Sequence, residues 1–511
     1  MTAGELTDRA QALLSGRVLL MSIGFAALGA VLTLTFAPFN AWFLAPPIAA
    51  VMFAVFHLAP RRLAARYGFA FGIGLFLSGT YWIYVSVHVF GQAPLWIALF
   101  LMFGLVLIMA TYLALIGWSI AWLTAGNAWR LALLGPAVWT VIEWLRGWLF
   151  TGFPWLSFGY GQIDSPLAGW APVLGVYGVS WMLLVSAAAL IPLVLRQGSA
   201  TAAAVLVVMP WVVGFALAQE DWTESAGAPV RTTIVQGGVP QDRKWLPEQF
   251  APTLNLYRNA LLDADDSELI VWPEVAIPAV MHQVRPYLDL LQSDVAGRRQ
   301  SLALGILEPH ANGRQVYNSV LLLDGSTEQT YRKRHLVPFG EYFPVPDFVR
   351  EWMRLLALPN TDMQEGADEQ PLLVTAGGTR LAAAICYEDA YGAEQLYALP
   401  EAAMLINVSN DAWFGESIAP HQHLQVARMR ALEAERSLVR ATNNGISAFI
   451  DHHGSITATV PQFEFAAMTR DIEPRRGVTP YATTGNWPLL VLLGLLLTAA
   501  ILQRKFGKSA D

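Results

Sequence analysis

Leu381-Ala382-Ala383-Ala384-Ile385-Cys386-Tyr387-Glu388-Asp389 reads as an apolar strand that runs directly into the only cysteine of a 511-residue chain, with a helix-like segment from Ala393. A nucleophile at a strand end, just before a helix, sits on a tight turn. There the side chain is exposed, and backbone N–H groups stand ready for a developing oxyanion. The plain alternative is a buried structural cysteine, which strands commonly hold. One cysteine forms no intramolecular disulfide and builds no zinc site from several thiolates.

Working outward, the charged segment around this strand alternates strand and helix. Strands are expected at Arg231 to Gln236, Glu268 to Trp272, Ser301 to Leu307, Val316 to Leu323, Thr327 to Tyr331, Leu381 to Ile385, Ala403 to Val408 and Ile446 to Asp451. Helical spacing covers 247–264, 283–295 and 421–439. This is an α/β pattern with several antiparallel neighbours: a mixed sheet, or two sheets layered with helices.

The flanks are different. The chain is 55% hydrophobic and 14% charged, with a formal charge of -7. An average soluble chain carries about 25% charged residues. Val18 to Pro60 and Tyr67 to Trp129 contain no Asp, Glu, Lys or Arg, and residues 18–219 hold only 8 charged side chains. A disordered chain, a collagen and an ordinary soluble enzyme are excluded. The negative balance gives no sign of nucleic-acid binding.

A helix crosses the hydrocarbon in about 20 residues, so the bare runs must fold back at turn residues. Spans are expected at 18–36, 41–59, 67–87, 95–124, 131–150, 172–195, 199–218 and 487–502, giving an eight-span α-helical bundle. The domains are then 1–219 (seven spans), 220–486 (outer α/β domain) and 487–511 (eighth span and tail). Arg9, Arg17, Arg61, Arg62, Arg66, Arg130, Arg196, Arg504, Lys505 and Lys508 all fall on one side of such a bundle. That bias predicts cytoplasmic termini and a periplasmic outer domain. The first apolar run leads straight into another, which argues against a cleaved signal peptide.

Glu143 and Arg146 stand three apart and are expected to pair on one helix. Trp139, Trp144, Trp148, Phe153, Trp155 and Tyr160 surround them. The group reads as an interfacial aromatic belt, or as a lipid headgroup site beside the long loop 151–171.

Two further segments bear on the cysteine. Trp272-Pro273-Glu274 puts a carboxylate at a strand end, and Tyr331-Arg332-Lys333-Arg334-His335-Leu336-Val337-Pro338-Phe339-Gly340-Glu341 supplies an amine and a second carboxylate. A carboxylate can take a thiol proton, and an ammonium can hold the anion. Lowering a thiol pKa by about 1.5 units takes roughly 2 kcal/mol, within reach of one Lys–thiolate pair.

These pieces, in this order, resemble the catalytic set of the nitrilase superfamily of carbon–nitrogen hydrolases. With the bundle added, nearly the whole chain resembles the bacterial apolipoprotein N-acyltransferases. The run His335 to Glu341, followed by Cys386-Tyr387-Glu388, is the most specific part. The resemblance implies an α-β-β-α sandwich on a polytopic membrane bundle. It implies Glu274 as general base, Lys333 as stabiliser of the oxyanion and Cys386 as nucleophile. Glu341, Tyr387 and Glu388 would support them, and Trp245, Phe339 and Trp413 would contact substrate.

The implied reaction moves the sn-1 acyl chain of a phospholipid, phosphatidylethanolamine for preference, through a cysteine thioester. The acceptor is the N-terminal amine of diacylglyceryl-cysteine on an apolipoprotein. Metal and cofactor are not needed. The implied location is the bacterial inner membrane.

Asp347 to Leu358 can form an amphipathic helix with Phe348, Trp352 and Leu356 on one stripe, a candidate cover for the site; Trp413-Phe414-Gly415 is a second. His421 and His423, two apart, share no helix face and read as solvated. His452-His453 reads as a turn. Two rival functions remain. One is a membrane-tethered amidase with the same residues. The other is a transporter or receptor without catalysis, for which mid-span charged groups would be expected.

Overall fold

The computed structural model describes residues 11–124, 126–343, 349 and 362–506. The amphipathic segment Asp347 to Leu358 lies outside the described residues, apart from Val349. Two compact units emerge. One is Met1–Tyr84, Pro94–Asp221 and Thr484–Asp511; the other is Val85–Ala93 and Trp222–Thr483.

The first unit is helical, with long helices at Val18–Leu32, Ala45–Leu58, Arg61–Gly79, Leu95–Thr124, Ala128–Arg146, Ala171–Val194, Ala200–Leu217 and Trp487–Phe506. Among the described residues, five stretches are long and apolar enough to cross a membrane: Val18–Thr35, Leu95–Thr124, Pro166–Val194, Ala200–Leu217 and Trp487–Phe506. Arg61–Gly79 and Trp82–Phe90, bent by 49°, would make a sixth; Trp42–Leu58 is shorter. Five or six spans therefore meet the criterion where eight were expected. Ala128–Arg146 carries Arg130, Glu143 and Arg146 in 19 residues. Small residues let the helices touch. A Cβ on Gly29 would strike the Phe71 carbonyl, and one on Gly74 the Ala26 carbonyl.

Glu143 and Arg146 are buried; their charges act on one another, and their hydrogen bonds go to the following loop. Arg146 donates to the carbonyls of Phe153 (2.6 Å) and Trp155 (2.7 Å) and to Ser157 Oγ (3.0 Å). Glu143 Oε1 accepts from the Phe158 amide at 2.7 Å and from Ser180 Oγ at 3.4 Å. Phe153, Trp155 and Tyr160 are buried too. The group is a scaffold that satisfies irregular backbone inside an apolar unit, which corrects both the belt reading and the headgroup-site reading.

The second unit is two six-stranded sheets face to face, with helices outside. The strands are β1 (Thr223–Ser225), β2 (Val230–Gln236), β3 (Leu269–Val271), β4 (Ser301–Pro309), β5 (Val316–Leu323), β6 (Glu328–Arg332), β7 (Leu373–Val374), β8 (Arg380–Ile385), β9 (Met404–Ser409), β10 (Leu438–Thr442), β11 (Ala448–Ile450), β12 (Ile456–Thr459), β13 (Ala466–Ile472) and β14 (Arg475–Gly477). One sheet runs β13-β2-β3-β4-β5-β6 and the other β12-β11-β10-β9-β8-β7, with β1 and β14 paired separately.

β2, β3 and β4 are parallel, as are β8, β9 and β10. Their residues are buried on both faces, as covered parallel strands require. Ile234, Val271, Val320, Ile385, Ile406 and Val439 meet between the sheets. Helices Pro247–Asp263 and Arg285–Ala296 cover the first sheet through Tyr257, Leu261, Leu288 and Leu291. Helix Ala419–Ala434 covers the second through Leu424, Ala427 and Ala431.

The helix expected over 421–439 stops at Ala434, where Glu435 turns left-handed (φ 43). Residues 438–442 are instead the central strand β10, between β9 and β11.

Candidate active site

Three of the expected residues follow strand ends: Glu274 after β3, Lys333 after β6 and Cys386 after β8. Glu274 reaches the site because β4 offers Gly305 opposite. A Cβ there would sit within 2.6 Å of the Pro273 carbonyl and Glu274 Cα. Trp272, fully buried against Tyr257 with ring centroids 5.0 Å apart, fixes the turn from below.

The structure brings the acid–amine–thiol set together. Lys333 Nζ is completely buried, 2.7 Å from Glu341 Oε1 and 3.7 Å from Glu274 Oε1. Asn318, on β5, completes the group. Its Nδ2 donates to Glu274 Oε1 at 2.7 Å and to Glu341 Oε1 at 3.2 Å. Both partners are acceptors, which assigns the amide nitrogen to that side. Burial works against the Lys333 ammonium, but Glu341, Glu274 and then the Cys386 sulfur outweigh it, so its pKa stands above the usual lysine range.

Cys386 is half-buried and left-handed, with φ 53. A non-glycine residue held there is strained, which is characteristic of a nucleophile elbow. Burial, and after it the Glu274 charge, push its thiol well above the ordinary range; Lys333 and a hydrogen bond with Ser409 pull the other way. The lowered thiol expected from a Lys–thiolate pair is therefore corrected. The lysine is already matched by Glu341, and Glu274 and Asp411 add negative charge around the sulfur. The balance of these effects favours the neutral thiol.

Glu388 ties the elbow to the lysine strand. Its carboxylate accepts the amides of Ile385 (2.6 Å), Arg334 (2.7 Å) and His335 (3.3 Å), and the Tyr331 hydroxyl at 3.0 Å. Burial pushes its pKa up against these bonds. Tyr387 is half-buried, its hydroxyl 3.0 Å from that of Tyr391. Trp245, Phe339 and Trp413 are exposed. The segments of Trp245 and Trp413 are linked through Asn410 Nδ2 and Gln241 Oε1 at 2.9 Å, and Phe339 meets Phe343 edge-on at 6.3 Å. Segment Val85–Phe90 packs under the Trp413 turn, with Phe90 and Val85 against Gly415.

Several residues escaped the sequence reading. Asn318 is one, and the buried set His423, Asp411 and Arg440 is another. His423 was expected in solvent, yet it is 1% exposed. Lys244, also buried, donates to the Glu274 carbonyl at 3.3 Å. Burial lowers its pKa to about 8, against the pull of Glu274. The available signal was a set of polar residues inside otherwise apolar strands, Asn318 in β5 and Asn407 and Ser409 in β9.

An elbow cysteine served by a strand-end glutamate and a buried lysine, on a sandwich of two six-stranded sheets, defines the class: a carbon–nitrogen hydrolase domain, and the carbon–nitrogen hydrolase family model matches residues 231–479. The model of the apolipoprotein N-acyltransferase N-terminal domain matches residues 28–189. The apolipoprotein N-acyltransferase of Methylococcus capsulatus is 41% identical over 485 residues, 94% of this chain and 96% of that protein. That of Azotobacter vinelandii is 42% identical over 492 residues, 95% of each. Among solved structures, an amidase from Nesterenkonia sp. aligns at 19% identity with a TM-score of 0.37, over 52% of this chain and 95% of that one. The chain belongs to the apolipoprotein N-acyltransferase family.

Proposed function

We propose that this membrane protein transfers a fatty acyl chain from a phospholipid to the N-terminal amine of diacylglyceryl-cysteine on apolipoproteins, by way of a thioester on Cys386. The observation that carries this reading is the meeting of Glu274, Lys333 and Glu341 beside a half-buried thiol whose pKa burial pushes up, in a chain that also holds membrane-length apolar helices.

The atoms move as follows. Glu274 takes the thiol proton as sulfur attacks the sn-1 ester carbonyl. The oxyanion that forms is held by the Lys333 ammonium. The intermediate collapses to a thioester, and the departing lysophospholipid alkoxide takes the proton from Glu274. The acceptor amine then attacks the thioester and gives a proton to Glu274. The sulfur leaves and is reprotonated. Thiolate is a good leaving group, so the second step favours amide formation. Glu341 balances Lys333, so that the ammonium is not drawn fully onto the base. Trp245, Phe339 and Trp413 supply exposed apolar surface for the acyl chains, and Tyr387 lines the elbow.

The finer parts of the reading are eight spans, both termini in the cytoplasm, a periplasmic catalytic domain over 220–486 between 1–219 and 487–511, residence in the inner membrane and phosphatidylethanolamine as the favoured donor. The one-sided arginine pattern supports the orientation. Both substrates are anchored in the bilayer, so fixing the domain there raises their effective concentration.

The test is mass spectrometry of the purified protein after incubation with phosphatidylethanolamine. The expected result is a fatty acyl mass on Cys386 that hydroxylamine removes and that diacylglyceryl peptide discharges. Turnover of soluble amides with no such adduct would overturn the proposal in favour of a tethered amidase.

A further inference from the structure

Behind the thiol lies a polar network of which only the Asp411 charge and the Ser409 hydrogen bond entered the account above. His423, on helix Ala419–Ala434, places Nε2 3.0 Å from the Cys386 carbonyl oxygen and Nδ1 2.8 Å from Asp411 Oδ1. Asp411 also accepts from Ser409 Oγ at 2.9 Å and from Arg440 Nη2 at 2.9 Å. Arg440 Nη1 reaches Asp389 Oδ2 at 3.2 Å and Asn407 Oδ1 at 2.5 Å. His423, Asp411, Arg440 and Asp389 are each at most 1% exposed.

Such a buried ionic network is no more stabilising than well-packed apolar side chains of the same volume. Its geometry, however, closes on the nucleophile: His423 Nε2 meets the Cys386 carbonyl, and ligand atoms of His423 and Asp411 lie within 4.8 Å of the sulfur. A carbonyl oxygen only accepts, so Nε2 of His423 carries the hydrogen. The Cys386 carbonyl and the Tyr387 N–H belong to one planar trans peptide and point in opposite directions. Holding the carbonyl toward His423 therefore aims the Tyr387 N–H away from the helix. It also restrains ψ of Cys386, the residue whose φ is 53.

We propose that His423, braced by Asp411 and Arg440, is a positioning residue for acyl transfer: its Nε2–H bond to the Cys386 carbonyl sets the peptide plane that presents the Tyr387 N–H to the oxyanion. The inference rests on Cys386 being the acylated residue. It adds a role for the helix behind the second sheet, which touches neither substrate.

Glutamine and asparagine separate the two bonds of the ring. The Gln side-chain nitrogen matches Nε2 and reaches the Cys386 carbonyl, whereas the Asn nitrogen matches Nδ1 and reaches only Asp411. Single-turnover acylation of the full-length protein by phosphatidylethanolamine in detergent would be measured for wild type, His423→Gln, His423→Asn and His423→Ala, alongside iodoacetamide alkylation of Cys386. The expected loss in His423→Ala is about 100-fold in acylation, the scale of one lost oxyanion donor, with alkylation within threefold of wild type. His423→Gln should recover at least tenfold of that loss, and His423→Asn should not.

Equal rates for the Gln and Asn variants would overturn the proposal, and so would acylation and alkylation falling together. If the Ala variant fails to fold, the Gln–Asn comparison decides alone. Absence of any adduct on wild-type Cys386 would instead sink the thioester reading itself, a distinguishable result.

Discussion

Glu341 Oε1 stands 2.7 Å from Lys333 Nζ, inside hydrogen-bond distance and a full ångström closer than Glu274. The lysine is thus matched more closely by Glu341 than by Glu274, the proposed base. Glu341 can serve this way because its other oxygen is anchored by the Val337 amide at 2.8 Å. Glu341→Gln should leave the buried ammonium to close on Glu274 and tie up the base in an ion pair. The expected outcome is a fall in single-turnover acylation of roughly 100-fold, in the range attributed to positioned acid–base groups, with phospholipid affinity little changed. A variant within threefold of wild type would remove Glu341 from the mechanism.

Glu274 has two opposing effects on the thiol. After burial, its charge holds the Cys386 thiol pKa up, yet in the proposed mechanism it accepts the proton during attack. Glu274→Gln abolishes both. The thiol pKa should then fall, so alkylation by iodoacetamide at pH 8 should speed up several-fold while acylation by phospholipid drops by about 100-fold or more. Two rates moving in opposite directions would identify a base acting within the transition state. If both fall together, Glu274 serves the thiol only by generating thiolate beforehand.

Asn318 keeps the two carboxylates in register by donating one N–H₂ group to both. Asn318→Asp adds a third negative group beside Lys333 and puts acceptor against acceptor. Asn318→Leu leaves both carboxylates short of a donor in a buried site, a cost of about 1–3 kcal/mol for each group. Acylation should fall in both variants, and more in the Asp variant. Thermal unfolding in detergent should show the Leu variant melting several degrees below wild type.

The fold was legible where periodicity and turn chemistry coincide. The strands before Cys386 and Glu274 and the helix Pro247–Asp263 lie close to where the pattern puts them. β10 was lost because Leu438-Val439-Arg440-Ala441-Thr442 continues the helical spacing of 421–434. Only the left-handed Glu435 and pairing with β9 and β11 break the helix. The positions of Glu274, Lys333 and Cys386 were legible because each follows a strand. His423, Asp411 and Asn318 were not, because their roles depend on the packing of segments distant in sequence. Glu143 and Arg146 were read as partners from their spacing, but the loop 151–165 competes for them with backbone groups that have no water to satisfy them.

Glu388 illustrates a residue whose motif was legible and whose task was not. Its carboxylate meets donors on every side: the Ile385, Arg334 and His335 amides and the Tyr331 hydroxyl. A Gln amide in its place would turn an N–H₂ against an N–H whichever way it flipped. Glu388→Gln should lower the melting temperature by several degrees, from an unmet buried donor costing about 1–3 kcal/mol. It should also slow acylation, because the elbow and the lysine strand lose their shared anchor. Glu388→Asp keeps the charge but not the reach and should fare no better.

Lys244 gives a pH signature. Its pKa in the folded protein is about 8, below the ordinary lysine value of 10.5, because burial disfavours the ammonium. Between those values the unfolded chain binds more protons than the folded one, so this group makes the protein more stable as pH rises. Lys244→Met removes the term. The melting temperature of the Met variant relative to wild type should therefore be highest near pH 7.5, and the advantage should shrink steadily toward pH 10. The measurement is thermal unfolding of both proteins in the same detergent across that range. A difference that stays constant with pH would mean Lys244 is as charged in the folded protein as in water, and that its contact with the Glu274 carbonyl is solvated.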